Sequence, residues 1–166
     1  MKSLFKKISL ASDHAGFVLK EIIKKKLINK KIKVFIFGSG QVSRALAEKL
    51  HKTNINFKVV SRKSGIFKGK KFIRISKILN HNSLIKKSIL VSTIPPNKIG
   101  EDYILKNIPE SNLKSFSRII YISSTSVYQS GDVDELTIPK PITKLGIRRL
   151  SIEKNWQKLN TRTVII

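Results

Sequence analysis

Cysteine is missing altogether from the 166 residues, so the chain has no disulfide, no thiolate metal ligand and no cysteine nucleophile. Acidic side chains are scarce, with 10 Asp and Glu against 34 Lys and Arg, and histidine occurs only 3 times. His51 has no partner at metal-ligand spacing, and His81 sits among Asn80, Asn82 and Ser83 as a loop residue would. No metal site is expected. No apolar run approaches the ~20 residues that cross a bilayer. The opening residues, Met1-Lys2-Ser3-Leu4-Phe5-Lys6-Lys7, lack the long apolar core of a secretion signal. A cytoplasmic protein without membrane contact is expected. What is present suffices for folding: 40% of the residues are hydrophobic, and the length suits one domain with a real core.

The net charge of +24 calls for a physical explanation. Clustered cations would release counterions from a nucleic-acid backbone, which is one class of function. Here the basic residues are spread: Lys24-Lys25-Lys26, Lys30-Lys31, Lys68 to Lys71, Lys86-Lys87 and Arg148-Arg149. No basic stripe is interleaved with aromatic residues, and no helix-turn-helix pattern is visible. Solvated basic faces with nonspecific adhesion to polyanions at low salt account for such a composition.

The chain is organised around the stretch from Lys33 to Leu50. Val34 to Phe37 is a β-favouring apolar run of strand length that stops at a glycine. From Val42 the apolar residues Val42, Ala45, Leu46 and Leu50 recur at helical spacing. Between them lies Gly38-Ser39-Gly40-Gln41-Val42-Ser43, the dinucleotide fingerprint with serine in the place of its third glycine. The first glycine permits a tight turn, and the second lets backbone approach a pyrophosphate. The helix N-terminus adds unpaired N–H groups and a partial positive charge. An ordinary Gly-rich turn of another α/β fold shares the local pattern, so the turn alone does not decide the function.

Residues 1–30 read as a separate βα extension. It has a strand over Lys7 to Ala11, a cap at Ser12 or Asp13 and an amphipathic helix over Phe17 to Leu27. Ser12-Asp13-His14-Ala15-Gly16 with Leu19-Lys20-Glu21 resembles the N-terminus of the B-type ribose-5-phosphate isomerases. The resemblance would put Asp13 and His14 in a sugar-phosphate site. That family's usual catalytic cysteine has no counterpart here, and helix capping accounts for Asp13 equally well. Beyond this unit, Phe57-Lys58-Val59-Val60 reads as the second strand of the nucleotide-binding half. An acidic residue at its end would accept hydrogen bonds from the ribose hydroxyls of NAD. The chain has Ser61-Arg62-Lys63 instead, and the cations Arg62 and Lys63 suit a 2′-phosphate, which favours NADP over NAD. Phe72 to Ile75 reads as a short strand and Ser76 to Leu84 as a helical connection.

Ser88 to Ile94 is an apolar strand ended by Pro95-Pro96, which cannot donate to a ladder. In a doubly wound sheet its C-terminal end faces the cofactor crevice, so Thr93, Ile94 and Pro95 are expected cofactor contacts. A Gly100 turn leads into a helix, and Arg118 to Ile122 is the next buried strand. It runs into the hydroxyl-rich Ser123-Ser124-Thr125-Ser126-Val127-Tyr128.

These residues carry a family likeness. Gly38-Ser39-Gly40, Ser92 to Pro96 with Gly100 and Asp102, and Tyr121 to Tyr128 resemble the extended short-chain dehydrogenase/reductases. The likeness continues through Gly131 to Glu135, Pro139, Pro141 and the Arg148-Arg149…Glu153…Trp156 helix. Over about residues 31–166 the chain is similar to the NAD-dependent epimerase/dehydratase group, in particular its atypical branch. The resemblance implies an α/β fold with a Rossmann-like, doubly wound, mostly parallel sheet, a nucleotide cofactor (NADP, or NAD) and a small-molecule substrate. It implies that Ser124 hydrogen-bonds a substrate carbonyl or alcohol. It also puts Leu145 and Arg149 where that family has its Tyr-x-x-x-Lys pair. Leucine has no proton to exchange. Arginine holds its proton too firmly to relay it, although Arg149 could touch ribose or phosphate.

Thr161 to Ile166 reads as one more core strand, after which the extended family continues with elements that shape the substrate pocket. The expectation is a C-terminally truncated domain whose substrate subdomain is missing, with oxidoreductase or epimerase chemistry weakened or lost. Self-association or a complementing chain would then cover what is left exposed. A sugar-phosphate isomerase-related protein and a basic nucleic-acid-binding protein are the alternatives.

Overall fold

The computed structural model describes residues 32–79, 85, 87–129, 131–134, 136–159 and 162–166. The βα extension read over residues 1–30, with Asp13 and His14, lies outside the described residues, as do His81 and most of the connection to Leu84.

Four parallel pairings build a five-stranded sheet. In chain order the elements are β1 (Val34–Phe37), α1 (Gln41–Lys52), β2 (Phe57–Val60) and the two-residue strands β3 (Ile66–Phe67) and β4 (Lys70–Lys71). Then come α2 (Ile75–Leu79), β5 (Ile89–Ser92), α3 (Tyr103–Asn107), α4 (Glu110–Lys114) and β6 (Arg118–Tyr121). A 3-10 turn (Thr125–Val127), the long helix α5 (Lys144–Leu159) and β7 (Thr163–Ile165) close the sequence. The sheet order is β2-β1-β5-β6-β7, so the chain winds one way from β1 to β2 and the other way from β5 onward. Open α/β sheets bind ligands at such a reversal, beyond the C-terminal ends of the strands, here β1 and β5. The register aligns those ends, with Phe37 opposite Val60 and Ser92, and Ser92 opposite Tyr121.

Both faces of the sheet are covered, which is why β1 and β5 are apolar almost without interruption. Val34, Ile36, Phe57, Val59, Val91 and Ile120 pack toward Leu46, Ala47 and Leu50 of α1. On the opposite face Phe35, Phe37, Leu90, Ile119 and Tyr121 meet Ile104, Ile108, Leu113, Phe116, Ile152 and Trp156. The ring of Phe116 stands edge-on to both Phe35 and Phe37, at 6.0 and 6.4 Å between centroids, an arrangement that adds electrostatic attraction to area burial.

Two local expectations shift. The buried stripe of α1 is Ser43, Leu46, Ala47 and Leu50, whereas Val42 and Ala45 face solvent. The helix is rotated because a polar residue, Ser43, is drawn inward by a hydrogen bond to Thr93. The strand expected over Phe72 to Ile75 shrinks to a parallel bridge between Val60 and Ile73. Ile73 donates to the Val59 carbonyl at 2.8 Å and accepts from Ser61 at 3.0 Å. Two residues on, the chain enters α2, where Ile75 and Ile78 are buried. Burial of those two side chains favours a helix over a longer edge strand.

Candidate functional site

The turn after β1 is fixed by contacts that leave one side open. Gly38 has φ +123°, in the region glycine occupies without strain, and its N–H donates to the Val60 carbonyl at 2.9 Å. A Cβ on Gly38 would collide with Thr93 Oγ1 and crowd Ser43 Oγ at 3.0 Å. Thr93 is itself pinned. Its N–H and its hydroxyl both donate to the Phe37 carbonyl at 2.9 Å, and its Oγ1 lies 2.6 Å from Ser43 Oγ. Serine in the third glycine's place thus does a related job by other means. Where glycine allows close helix–strand packing, Ser43 ties α1 to the end of β5 through a hydroxyl pair, worth about 1 kcal/mol.

Gly40 differs from Gly38. It caps α1 with an ordinary φ of −76°, supplies no side-chain cap, and an added Cβ would meet nothing within 4 Å. The first turn of α1 contains no acidic residue, so the positive end of the helix is not neutralised from within it. Gln41 and Val42 are exposed beside it. An uncapped helix end beside an open glycine fits a diphosphate, which needs backbone N–H groups at close range.

At the end of β2, Ser61 is buried, donates to Ser39 Oγ at 3.1 Å and accepts from the Lys63 N–H at 3.2 Å. Lys63 and Arg62 are exposed. The Arg62 guanidinium lies 4.8 Å from the ring centroid of Tyr103, so it reaches across to α3. Arg44 on α1 turns back to donate from Nε to the Ser39 carbonyl at 3.4 Å. Neither Tyr103 nor Arg44 was singled out by the sequence pattern. Their positions depend on how α3 and α1 pack around the turn.

Beyond β5, Ile94 is partly buried against the core and Pro95 is exposed. Asp102 is buried and accepts from the Ile104 N–H at 2.7 Å, the Leu105 N–H at 3.1 Å and Trp156 Nε1 at 3.0 Å. One carboxylate therefore caps α3 and anchors α5. Trp156 stacks on Tyr121 at 5.9 Å. The Tyr121 hydroxyl accepts from Arg149 Nη1 at 3.4 Å. Burial, partly offset by the Arg149 charge, pushes the Tyr121 phenol up to about 12, so it is a poor proton donor near neutral pH.

Ser124 caps the 3-10 turn by accepting from the Ser126 N–H at 3.3 Å. A hydroxyl that accepts in this way keeps its own proton to donate elsewhere. The turn rests on α5 at Gly146, where a Cβ would strike the Ser126 carbonyl and lie 2.8 Å from Pro141 Cβ. Leu145 is 55% exposed. Arg149 points inward instead, with Tyr121 as a partner; burial raises the Asp102 and Glu153 carboxyls above their ordinary values, and the nearby Arg149 charge offsets only part of that. The Arg149 Nε is buried without a hydrogen-bond partner. Ser123 donates to Glu153 Oε1.

Burial raises the Glu153 carboxyl above its ordinary 4.5, against smaller downward effects of Ser123 and Arg149. A carboxyl raised on folding stabilises the fold below its unfolded pKa, and that stability is lost as pH rises through the folded value. The stability of the native chain relative to Glu153→Gln is therefore expected to fall as pH rises from below 4.5 through the raised value. Urea unfolding of both proteins across this range checks it. A constant difference would mean that Glu153 ionises as easily folded as unfolded.

A cavity of about 330 Å³ lined by His51, Asn54, Ile55, Asn56 and Lys70 lies at the N-terminal end of β2, the opposite end of that strand from Ser61. Among the described residues no helix is long and apolar enough to cross a membrane.

No protein-family model and no curated protein matches the sequence. Solved structures do match in fold. One is described as an NAD-dependent epimerase/dehydratase from Methylobacillus flagellatus, with 22% identity and TM-score 0.65, covering 82% of this chain and 53% of that one. MoeE5 in complex with UDP-glucose and NAD gives 18% identity and TM-score 0.58, covering 80% of this chain and 52% of that one. The UDP-N-acetylglucosamine 4-epimerase from Bacillus cereus gives 18% and 0.57, with 81% and 58% covered. The chain spans little more than half the length of each. Its described residues thus form the Rossmann-like, parallel α/β fold that the epimerase/dehydratase structures share.

Proposed function

We propose that the chain binds a nicotinamide dinucleotide, with NADPH preferred to NADH, as a protein of the extended short-chain dehydrogenase/reductase type. Its oxidoreductase or epimerase chemistry is weakened or lost. The observation that carries this reading is the open, uncapped junction of Gly40 and α1 at the point where the strand order reverses. MoeE5, of similar fold, is a complex with NAD and UDP-glucose.

The assigned roles follow from the contacts. Gly38 sets the turn, and the N–H groups of Gln41 and Val42 receive the diphosphate. Ser61, where an acidic residue would bind ribose hydroxyls, removes the carboxylate that would repel a 2′-phosphate and is followed by the exposed cations Arg62 and Lys63. Thr93 contributes by bracing the turn, with Ile94 and Pro95 beside it. When bound, the dinucleotide supplies a hydride donor or acceptor. Ser124 has a proton with which to hold a substrate oxygen. Leu145 cannot exchange one, and Arg149 is drawn inward to Tyr121 rather than serving as a relay. Binding with little or no turnover is the consequence.

Calorimetric titration at about 0.15 M salt, where long-range attraction to a highly basic surface is screened, tests the reading. NADPH is expected to bind at least about tenfold more tightly than NADH, a difference of about 1.4 kcal/mol. Binding of neither nucleotide would overturn the proposal.

A further inference from the structure

We infer that Arg44, rather than Arg62, is the guanidinium that selects a 2′-phosphorylated ribose; this rests on the dinucleotide reading of the same turn. Three contacts carry it. Arg44 Nε donates to the Ser39 carbonyl at 3.4 Å, which folds the side chain back over the glycine turn. Ser39 Oγ in turn accepts from Ser61 Oγ at 3.1 Å, so the strand end that decides between ribose hydroxyls and a phosphate adjoins the residue Arg44 holds. Arg62, the cation nearer in sequence, has its guanidinium over the Tyr103 ring at 4.8 Å. That contact turns it toward α3.

The electrostatics agree. Arg44 is exposed, and among the described residues no carboxylate lies within ion-pair distance of it; the acidic residue one turn on, Glu48, is taken by Lys52 at 3.1 Å. With Nε engaged by a neutral carbonyl, both terminal nitrogens are left to meet a phosphate in the paired geometry arginine favours. Ser39 thus links Arg44 to Ser61, which in turn accepts from the Lys63 N–H at 3.2 Å.

Arg44→Gln separates the alternatives, because the exposed side chain can be changed without loss of the fold. NADPH affinity is expected to fall about tenfold with NADH affinity unchanged, so that preference between the two is largely erased. Lys49→Gln removes an equal charge from the far end of α1 and should alter both affinities alike, by less than about twofold. Equal weakening of both nucleotides by Arg44→Gln would overturn the inference, as would an unchanged NADPH affinity. In either case a native protein that still prefers NADPH keeps the dinucleotide reading intact. Failure of the native protein to bind either nucleotide overturns both together.

Discussion

Replacing Gly38 with alanine is expected to destabilise the free protein by about 3–5 kcal/mol. Two effects add. The φ of +123° belongs to glycine, and a substituted residue there is strained by about 1–3 kcal/mol. The new methyl group also collides with Thr93 Oγ1. Rotating Thr93 aside would sacrifice its hydroxyl contacts with the Phe37 carbonyl and with Ser43, about 1 kcal/mol each. Those contacts join β1, β5 and α1 at a single point, so no neighbour yields cheaply. Thermal unfolding without ligand should show a midpoint lowered by roughly 10 °C. A shift under about 2 °C would mean that the turn is far more pliable than its contacts indicate.

Gly40→Val is expected to do the reverse, sparing the fold and removing the ligand. Here φ is ordinary and an added Cβ meets nothing within 4 Å, so the stability loss is limited to the poorer helix cap, about 1 kcal/mol. The isopropyl group would stand in the space through which a diphosphate must approach the first turn of α1. NADPH affinity should fall at least about a hundredfold, or roughly 3 kcal/mol. Unchanged affinity in a folded variant would locate the nucleotide away from this turn. On the proposed reading, Gly38 serves folding and Gly40 serves binding.

The sequence carried much of this plainly. Strands β1, β2, β5 and β6 sit where apolar, β-favouring runs end at glycine, serine or a polar turn, because in a sheet covered on both faces such runs are unbroken. The Gly-x-Gly spacing located the turn for the same reason: only glycine serves at Gly38. The phase of α1 was not legible. Apolarity pointed to Val42 and Ala45, but the inward position belongs to Ser43, whose partner lies fifty residues away at Thr93. Long-range hydroxyl pairs leave no local periodicity. From the sequence Ile73 likewise reads as part of a strand, since nothing within Phe72 to Ile75 reveals that burial of Ile75 and Ile78 draws the chain into a helix.

The site was legible in part. Ser124 could be placed by its motif, yet its capping role appears only with the 3-10 turn. Arg149 falls at the expected helix position, but its side chain is turned inward to Tyr121 on β6, with the buried Asp102 and Glu153 carboxyls near it. Arg44 gave no signal at all, because an arginine on a helix in so basic a chain is unremarkable until its contact with Ser39 is seen.

The most direct measurement is a nitrogen–proton correlation spectrum of the isotope-labelled protein, recorded as NADPH is added at physiological salt. The largest shifts should fall on the backbone amides of Ser39 to Arg44, with smaller ones at Ser61 to Lys63 and none concentrated on the basic hairpin of Ile66 to Lys71. Saturable shifts confined to that hairpin or to other lysine-rich faces, with the amides of Ser39 to Arg44 unmoved, would contradict the account.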